Sequence, residues 1–162
     1  MAVVAGEVPP ETVRPLRAEV LRPGLPADLS AYPGDDDPDS RHVAVRHDPE
    51  GPVVAVGSLL ADMPPAFLAE GPTVPAPATA ERWWRIRGMA TAADRRGEGL
   101  GRQVLDALLD AAARAGGGVV WCNARAAALD FYLRAGFEPV GEVFEEPLIG
   151  PHRAMRRRVP PA

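Results

Sequence analysis

The chain has no lysine. All 18 of its Lys-or-Arg positions are Arg. Codon bias in an Ala-, Arg- and Pro-rich proteome accounts for this, yet it has a chemical consequence. A lysine Schiff base and a Walker-type phosphate lysine are both excluded. Cysteine is scarce too: Cys122 is the only one. No intramolecular disulfide can form, and a reducing compartment is the simple reading. Long apolar runs are missing, and none approaches the ~20 residues of a membrane span. The first residues, MAVVAGEVPPETV, lack a basic leader, and their apolar run is too short for a signal peptide. The expected location is cytoplasmic, away from membranes. A basic excess is also lacking: the formal net charge is -4. A general nucleic-acid binder is therefore not expected, and neither is a metal site.

What is present fits one globular domain over 1–162. The 162 residues are 46% hydrophobic and 25% charged, which suits a single buried core. Residues 11–14 can start a strand, and 15–24 read as a short helix stopped by Pro23-Gly24. The stretch 31–40 is turn-rich and acidic. Residues 41–47 and 52–60 read as a hairpin of two strands. Residues 61–80 carry Pro and Gly without periodicity and read as a loop insertion, either a surface excursion or a substrate lid. A strand over 81–91, a helix from the following glycine loop to about 115, and a buried strand over 119–124 come next. A helix over 125–136 and strands over 137–144 and 152–159 close the chain. The order β-α-β-β-β-α-β-α-β-β is a mixed α/β pattern, not a doubly wound one. Its central strand–helix–strand step implies a parallel pair with a right-handed crossover.

The stretch GEGLG, 97–101, holds three glycines at alternate positions. Behind it Leu100, Val104, Leu108, Ala111 and Ala115 recur at helical spacing, widened by Leu105 and Ala112. The first N–H groups of a helix have no internal partner and carry the positive end of its dipole. Glycine there lets a bulky anion reach them. Arg95 and Arg96 add positive charge. The place suits a phosphate or pyrophosphate, although a plain tight turn is the simpler alternative. A P-loop is excluded for want of Lys. The dinucleotide pattern G-x-G-x-x-G fails at Arg102 and at Val104.

RGEGLG, 96–101, fits R/Q-x-x-G-x-G/A and thereby resembles the coenzyme A pyrophosphate motif of the GNAT N-acetyltransferases. Arg96, Gly99 and Gly101 fill its defined positions. The stretch 123–137, NARAAALDFYLRAGF, resembles a second block of that family through Asn123, Ala126, Phe131, Tyr132, Gly136 and Phe137. The two blocks together cover about 81 to 140. The resemblance implies the GNAT acyltransferase fold. That fold is a central mixed sheet of about seven strands with helices on both faces and a splayed central strand pair. It implies acetyl-CoA as cosubstrate, with the pantetheine arm paired to the backbone of Met89, Ala90 and Thr91. The Met89 N–H would meet the thioester carbonyl. Backbone of Arg96, Gly97, Glu98, Gly99, Leu100, Gly101 and Arg102 would take the pyrophosphate. Asn123 and Phe131 would lie on the coenzyme, and Tyr132 would protonate the departing thiolate. Glu98 departs from the pattern by placing a negative charge there, unless it pairs with Arg95 or Arg102.

The acceptor side is less defined. A base must take the proton of the attacking amine. His152 is the first candidate because an imidazole titrates near neutrality. Glu142, Glu145, Glu146 and His42 are the others. Cys122 reads as a buried, inert thiol. The Asp35-Asp36-Asp37 and Asp39 stretch reads as a solvated loop, or as an attractor of cationic amines. The run Arg156–Arg158 reads as an edge strand with alternating faces. Trp83 and Trp84 leave open a homodimer patch or a pocket wall. The expected function is transfer of an acetyl group to a small-molecule primary amine. The alternatives are a protein N-terminal or lysine acetyltransferase and a non-catalytic acyl-CoA sensor.

Overall fold

Seven strands and three helices follow in the order β1 (Val4–Val8), α1 (Pro10–Leu21), β2 (Arg41–Arg46), β3 (Val53–Ala61), β4 (Trp83–Thr91), α2 (Leu100–Arg114), β5 (Gly118–Arg125), α3 (Leu129–Arg134), β6 (Glu138–Glu146) and β7 (Gly150–Val159). The computed structural model describes residues 4–26, 30–62, 82–147 and 149–162. Most of the loop insertion expected over 61–80 lies outside the described residues. The strands form a mixed sheet in the order β1-β2-β3-β4-β5-β7-β6, so the expected mixed α/β fold is present. Two compact units divide the chain: Met1–Leu60 with Ile86–Ala111, and Ala61–Arg85 with Ala112–Ala162.

In the first unit β1, β2 and β3 pair antiparallel, with His42 opposite Ser58 and Ala44 opposite Val56. The turn joining β2 and β3 is closed by the Gly51 N–H on the Asp48 carbonyl at 2.9 Å. Helix α1 lays Val13 and Leu16 on Ala44, Val56 and Ala90. On the other face Gly57 leaves room for Met89 and for Val104 and Leu108 of α2. The apolar stripe of α2 is buried as its periodicity predicts: Leu100, Val104, Leu105, Leu108, Ala111 and Ala112 are 4% exposed or less. Each such Leu or Val contributes about 1.5–3 kcal/mol.

Two expectations fail in this unit. The first strand is Val4–Val8, not 11–14, and α1 starts at Pro10. Pro10 sits in the first turn, where a missing N–H costs nothing. Pro15 is accommodated inside the helix. The acidic stretch is also not simply solvated. Asp35 is 2% exposed. Its carboxylate meets the Arg17 guanidinium at 2.8 and 3.3 Å, so its charge is not offered to an outside amine. Asp36 pairs with Arg14 at 3.3 Å.

In the second unit the parallel β4–β5 ladder runs from Trp83 opposite Val119 to Arg85 opposite Trp121. Strand β5 is flanked antiparallel by β7 along its full length, from Gly118 opposite Val159 to Arg125 opposite His152. Strand β6 pairs with β7 and ends the sheet. The arginine run is therefore on an interior strand, not an edge. Its faces do alternate: Arg156 donates to Glu138 at 2.8 Å, while Arg157 donates to the Ala135 carbonyl at 2.5 Å. The helix expected over 125–136 is shorter, because β5 extends to Arg125 and a 3-10 turn fills Ala126–Ala128. Trp84 is 1% exposed, with its indole N–H on the Gly117 carbonyl at 3.3 Å. It forms no surface patch. Trp83 packs beside Trp121, Ala154 and Val140.

Candidate active site

The glycine loop follows the end of β4. The Ala92 N–H donates to the Val54 carbonyl at 2.8 Å, and a 3-10 turn over Ala93–Arg95 is closed by Arg95 N–H on the Ala92 carbonyl at 2.9 Å. Gly97 and Gly99 have φ of +81° and +78°, a region costly for residues with a side chain. The turn itself thus requires those two glycines. Gly101 lies inside α2 without a positive φ. A Cβ at Gly97 or Gly99 would meet nothing within 4 Å. The loop is an open cradle ahead of the first turn of α2, which begins at Leu100.

Charge around the cradle is arranged unevenly. Glu98 accepts from Arg95 in a two-pronged pair at 2.8 and 3.0 Å. That contact holds the Glu98 carboxyl below its ordinary value and raises Arg95. The pairing anticipated for Glu98 is present, and its partner is Arg95. Arg102 pairs with Asp106 one turn on, at 2.9 Å. Arg96 is exposed. Next to the loop, Met89 and Thr91 are half-buried and Ala90 is buried.

The second unit carries the other expected residues. Asn123 lies opposite Ala154, and His152 lies opposite Arg125. By the two-residue period of strands, Asn123 and His152 share one sheet face on adjoining strands. His152 is 4% exposed. Its Nδ1 is 2.9 Å from the Gly150 carbonyl. A carbonyl only accepts, so Nδ1 carries hydrogen and Nε2 is left with a lone pair in the neutral ring. The Phe144 ring lies 6.0 Å away.

Tyr132 belongs to the other face. It is 6% exposed, with edge-on contacts to Phe131 at 5.0 Å and Phe137 at 5.4 Å. Its hydroxyl bonds the Cys122 thiol, and burial pushes its pKa well above the ordinary phenol value. Cys122 is 2% exposed. Burial pushes its thiol up to about 12, only partly offset by the Arg85 charge and the Tyr132 hydrogen bond. It is the inert thiol that its neighbours predict. Because Cys122 and Asn123 are consecutive in a strand, Tyr132 and His152 address opposite faces of β5.

His42 is not available as a base. It is 3% exposed. Its Nε2 is 2.9 Å from the Asp35 carbonyl and its Nδ1 is 2.6 Å from the Ser58 hydroxyl. Nε2 therefore carries the hydrogen, and Nδ1 accepts from Ser58. Burial lowers its pKa. Glu142 and Glu145 are exposed on the sheet's end strand.

Residues 11–137 match the model of the acetyltransferase (GNAT) family. The chain belongs to the GNAT acetyltransferase family. It is therefore an acyltransferase, and a GNAT fold accounts for its strand order. YitI, an uncharacterized N-acetyltransferase of Bacillus subtilis, is 29% identical over 140 residues, covering 86% of this chain and 85% of YitI. The crystal structure of Escherichia coli ElaA superposes with a TM-score of 0.66 at 21% identity, covering 96% and 99% of the two chains. An aminoglycoside 6'-N-acetyltransferase complexed with coenzyme A superposes with a TM-score of 0.64 at 13% identity, covering 98% of each. At those identities the two structural likenesses are ones of fold.

Sequence reasoning missed Arg17, Tyr32, Ser58 and Gly88, which join Asp35 and His42 in one buried network. An isolated glycine within a strand pattern was the readable cue for Gly88.

Proposed function

We propose that this GNAT protein transfers the acetyl group of acetyl-CoA to a primary amine of a small molecule, by direct attack while both are bound. One observation carries the reading: Gly97 and Gly99, both at left-handed φ, leave an unobstructed cradle ahead of α2. An acyl transfer takes a proton from the incoming amine and gives one to the outgoing sulfur. His152 is the base and Tyr132 the acid in this reading.

Acetyl-CoA supplies an acyl group activated as a thioester. The residues present fit it. The open cradle at Gly97 and Gly99, with Arg96 exposed beside it, suits a pyrophosphate on the N–H groups of Arg96 to Arg102. The backbone of Met89, Ala90 and Thr91 holds the pantetheine amides like an added strand. The Met89 N–H donates to the carbonyl oxygen as negative charge develops there. Asn123 steadies the coenzyme arm. His152 Nε2 receives the amine proton as the C–N bond forms and the C–S bond breaks. Tyr132 gives its phenolic proton to the sulfur. Its raised pKa keeps that proton in place until a thiolate appears.

Calorimetric titration with acetyl-CoA, against ATP and NADH, tests the cofactor half of the reading. Release of free CoA over a panel of primary amines tests the acceptor half. Selective acetyl-CoA binding and release of CoA with at least one amine are expected. Folded protein that binds none of the three, or prefers ATP or NADH, overturns the pyrophosphate assignment. Binding without CoA release over the panel overturns the small-amine assignment.

A further inference from the structure

Arg17 is fully buried on α1. Its Nη1 donates to the Ser30 carbonyl at 2.6 Å and to Asp35 Oδ2 at 2.8 Å. Its Nη2 donates to Asp35 Oδ1 at 3.3 Å and to Ser58 Oγ at 2.8 Å. Ser58 in turn donates to His42 Nδ1 at 2.6 Å. Of the three guanidinium nitrogens, Nε alone has no partner among the described residues. It faces Gly88 of β4: a Cβ on Gly88 would stand 2.6 Å from Nε and 3.3 Å from Cζ. The other side of the guanidinium lies on the Tyr32 ring, 4.1 Å from its centroid.

Gly88 marks an irregularity in β4. Its φ is +67°. Arg87 sits 4.0 Å over the Tyr32 ring, and Gly88 also abuts Tyr32. Consecutive residues of a regular strand point to opposite faces. Two that meet the same ring, one of them a glycine in the left-handed region, break that alternation as a bulge does. Met89 follows with its sulfur on the other face, against the site of Gly57. The bulge therefore sets the orientation of the Gly88–Met89 peptide.

We propose that Arg17 is a positioning residue for acyl transfer. Its guanidinium, pinned at four acceptor contacts and backed by Tyr32, holds the Gly88 bulge and so fixes the direction of the Met89 N–H. This rests on the reading of that N–H as donor to the thioester carbonyl. A leucine or methionine would fill the same space without burying charge. The guanidinium adds a flat, rigid plate of fixed orientation. A donor that must meet a developing oxyanion needs that rigidity, because small misplacements are costly in rate.

The test is a double-mutant cycle of Arg17→Lys and Gly88→Ala in the full chain, with acetyl-CoA and an amine that the wild type acetylates. Arg17→Lys keeps the charge opposite Asp35, and circular dichroism checks that the variant folds. Each single substitution is expected to lower kcat about 10- to 100-fold, with the KM for acetyl-CoA within about two-fold of wild type. The double variant falls no further than the worse single one, because both act through the same peptide. Unchanged kcat in folded Arg17→Lys overturns the proposal, as do fully additive losses or a KM that rises in step. A second readout separates this from failure of the transferase reading. The amide resonance of Met89, with acetyl-CoA bound, should shift in Arg17→Lys. If the wild type acetylates no amine, the transferase reading fails, and that resonance alone decides the clamp: unmoved, it overturns it.

Discussion

Replacing Arg17 by Met puts the buried ion pair on trial. Asp35 would stay buried, keeping the Tyr32 N–H at 3.1 Å and the Arg14 Nε at 3.4 Å, but losing both guanidinium contacts. The Ser30 carbonyl and Ser58 hydroxyl would each lose a donor. Removing one member of a buried pair costs about 3–5 kcal/mol. For a domain of this size the melting temperature moves roughly 2–4 °C per kcal/mol, so a fall of about 6–20 °C is expected. Urea unfolding followed by circular dichroism measures the free energy, and calorimetry the temperature. The double variant Arg17→Met with Asp35→Leu should recover part of the loss, since no lone charge remains buried. A single variant within about 1 kcal/mol of wild type would refute the reasoning. So would a double variant no more stable than the single one.

The same network makes stability depend on acid. Burial alone would raise the Asp35 pKa, but hydrogen bonds from Arg17 and the Tyr32 N–H, with the Arg17 charge, outweigh it and lower it. A lowered carboxyl contributes stability above its unfolded value near pH 3.9, and loses it as pH falls through the lower folded value. His42, lowered by burial, weakens the fold earlier, as pH drops below about 6.5. Urea midpoints from pH 8 to pH 3 should fall in those two stages, and Asp35→Asn should flatten the second. Tyr132→Phe should lower kcat about 100-fold with acetyl-CoA affinity nearly intact; equal turnover, with chemistry rate-limiting, removes Tyr132 from its role. Gly99→Val places a branched side chain at a φ of +78° in the cradle; calorimetry on the folded variant should find acetyl-CoA binding weakened at least about 10-fold. Glu98→Gln releases Arg95 and should tighten acetyl-CoA binding a few-fold, a gain that shrinks in salt; a loss of affinity would contradict the charge reading.

Legibility followed the range over which information acts. The stripe of α2 and the glycine loop were readable because their cues lie within a few residues. The short α3 was not. Its stretch has helical composition, but β7 claims Arg125 through pairing with His152, 27 positions away. Asp35 looked like solvated charge because its partner, Arg17, stands 18 positions earlier. The β1 error is local: ETVR has strand-like character, but Pro10 starts the helix ahead of it. Of the candidate site, the family resemblance pointed to Tyr132 and residue type to His152. The assignment of each to its own face needed the register of β5 and β7.

That two-sidedness bears on how such an enzyme changes over time. The face of β5 bearing Asn123 is shared with Ala154 and His152, on the neighbouring strand. The opposite face packs Tyr132 among Phe131, Phe137 and Cys122. Substitutions that reshape one surface leave the contacts of the other in place. On the proposed roles, lineages could diverge in what they modify while keeping the leaving-group side, with one strand as the partition between the two.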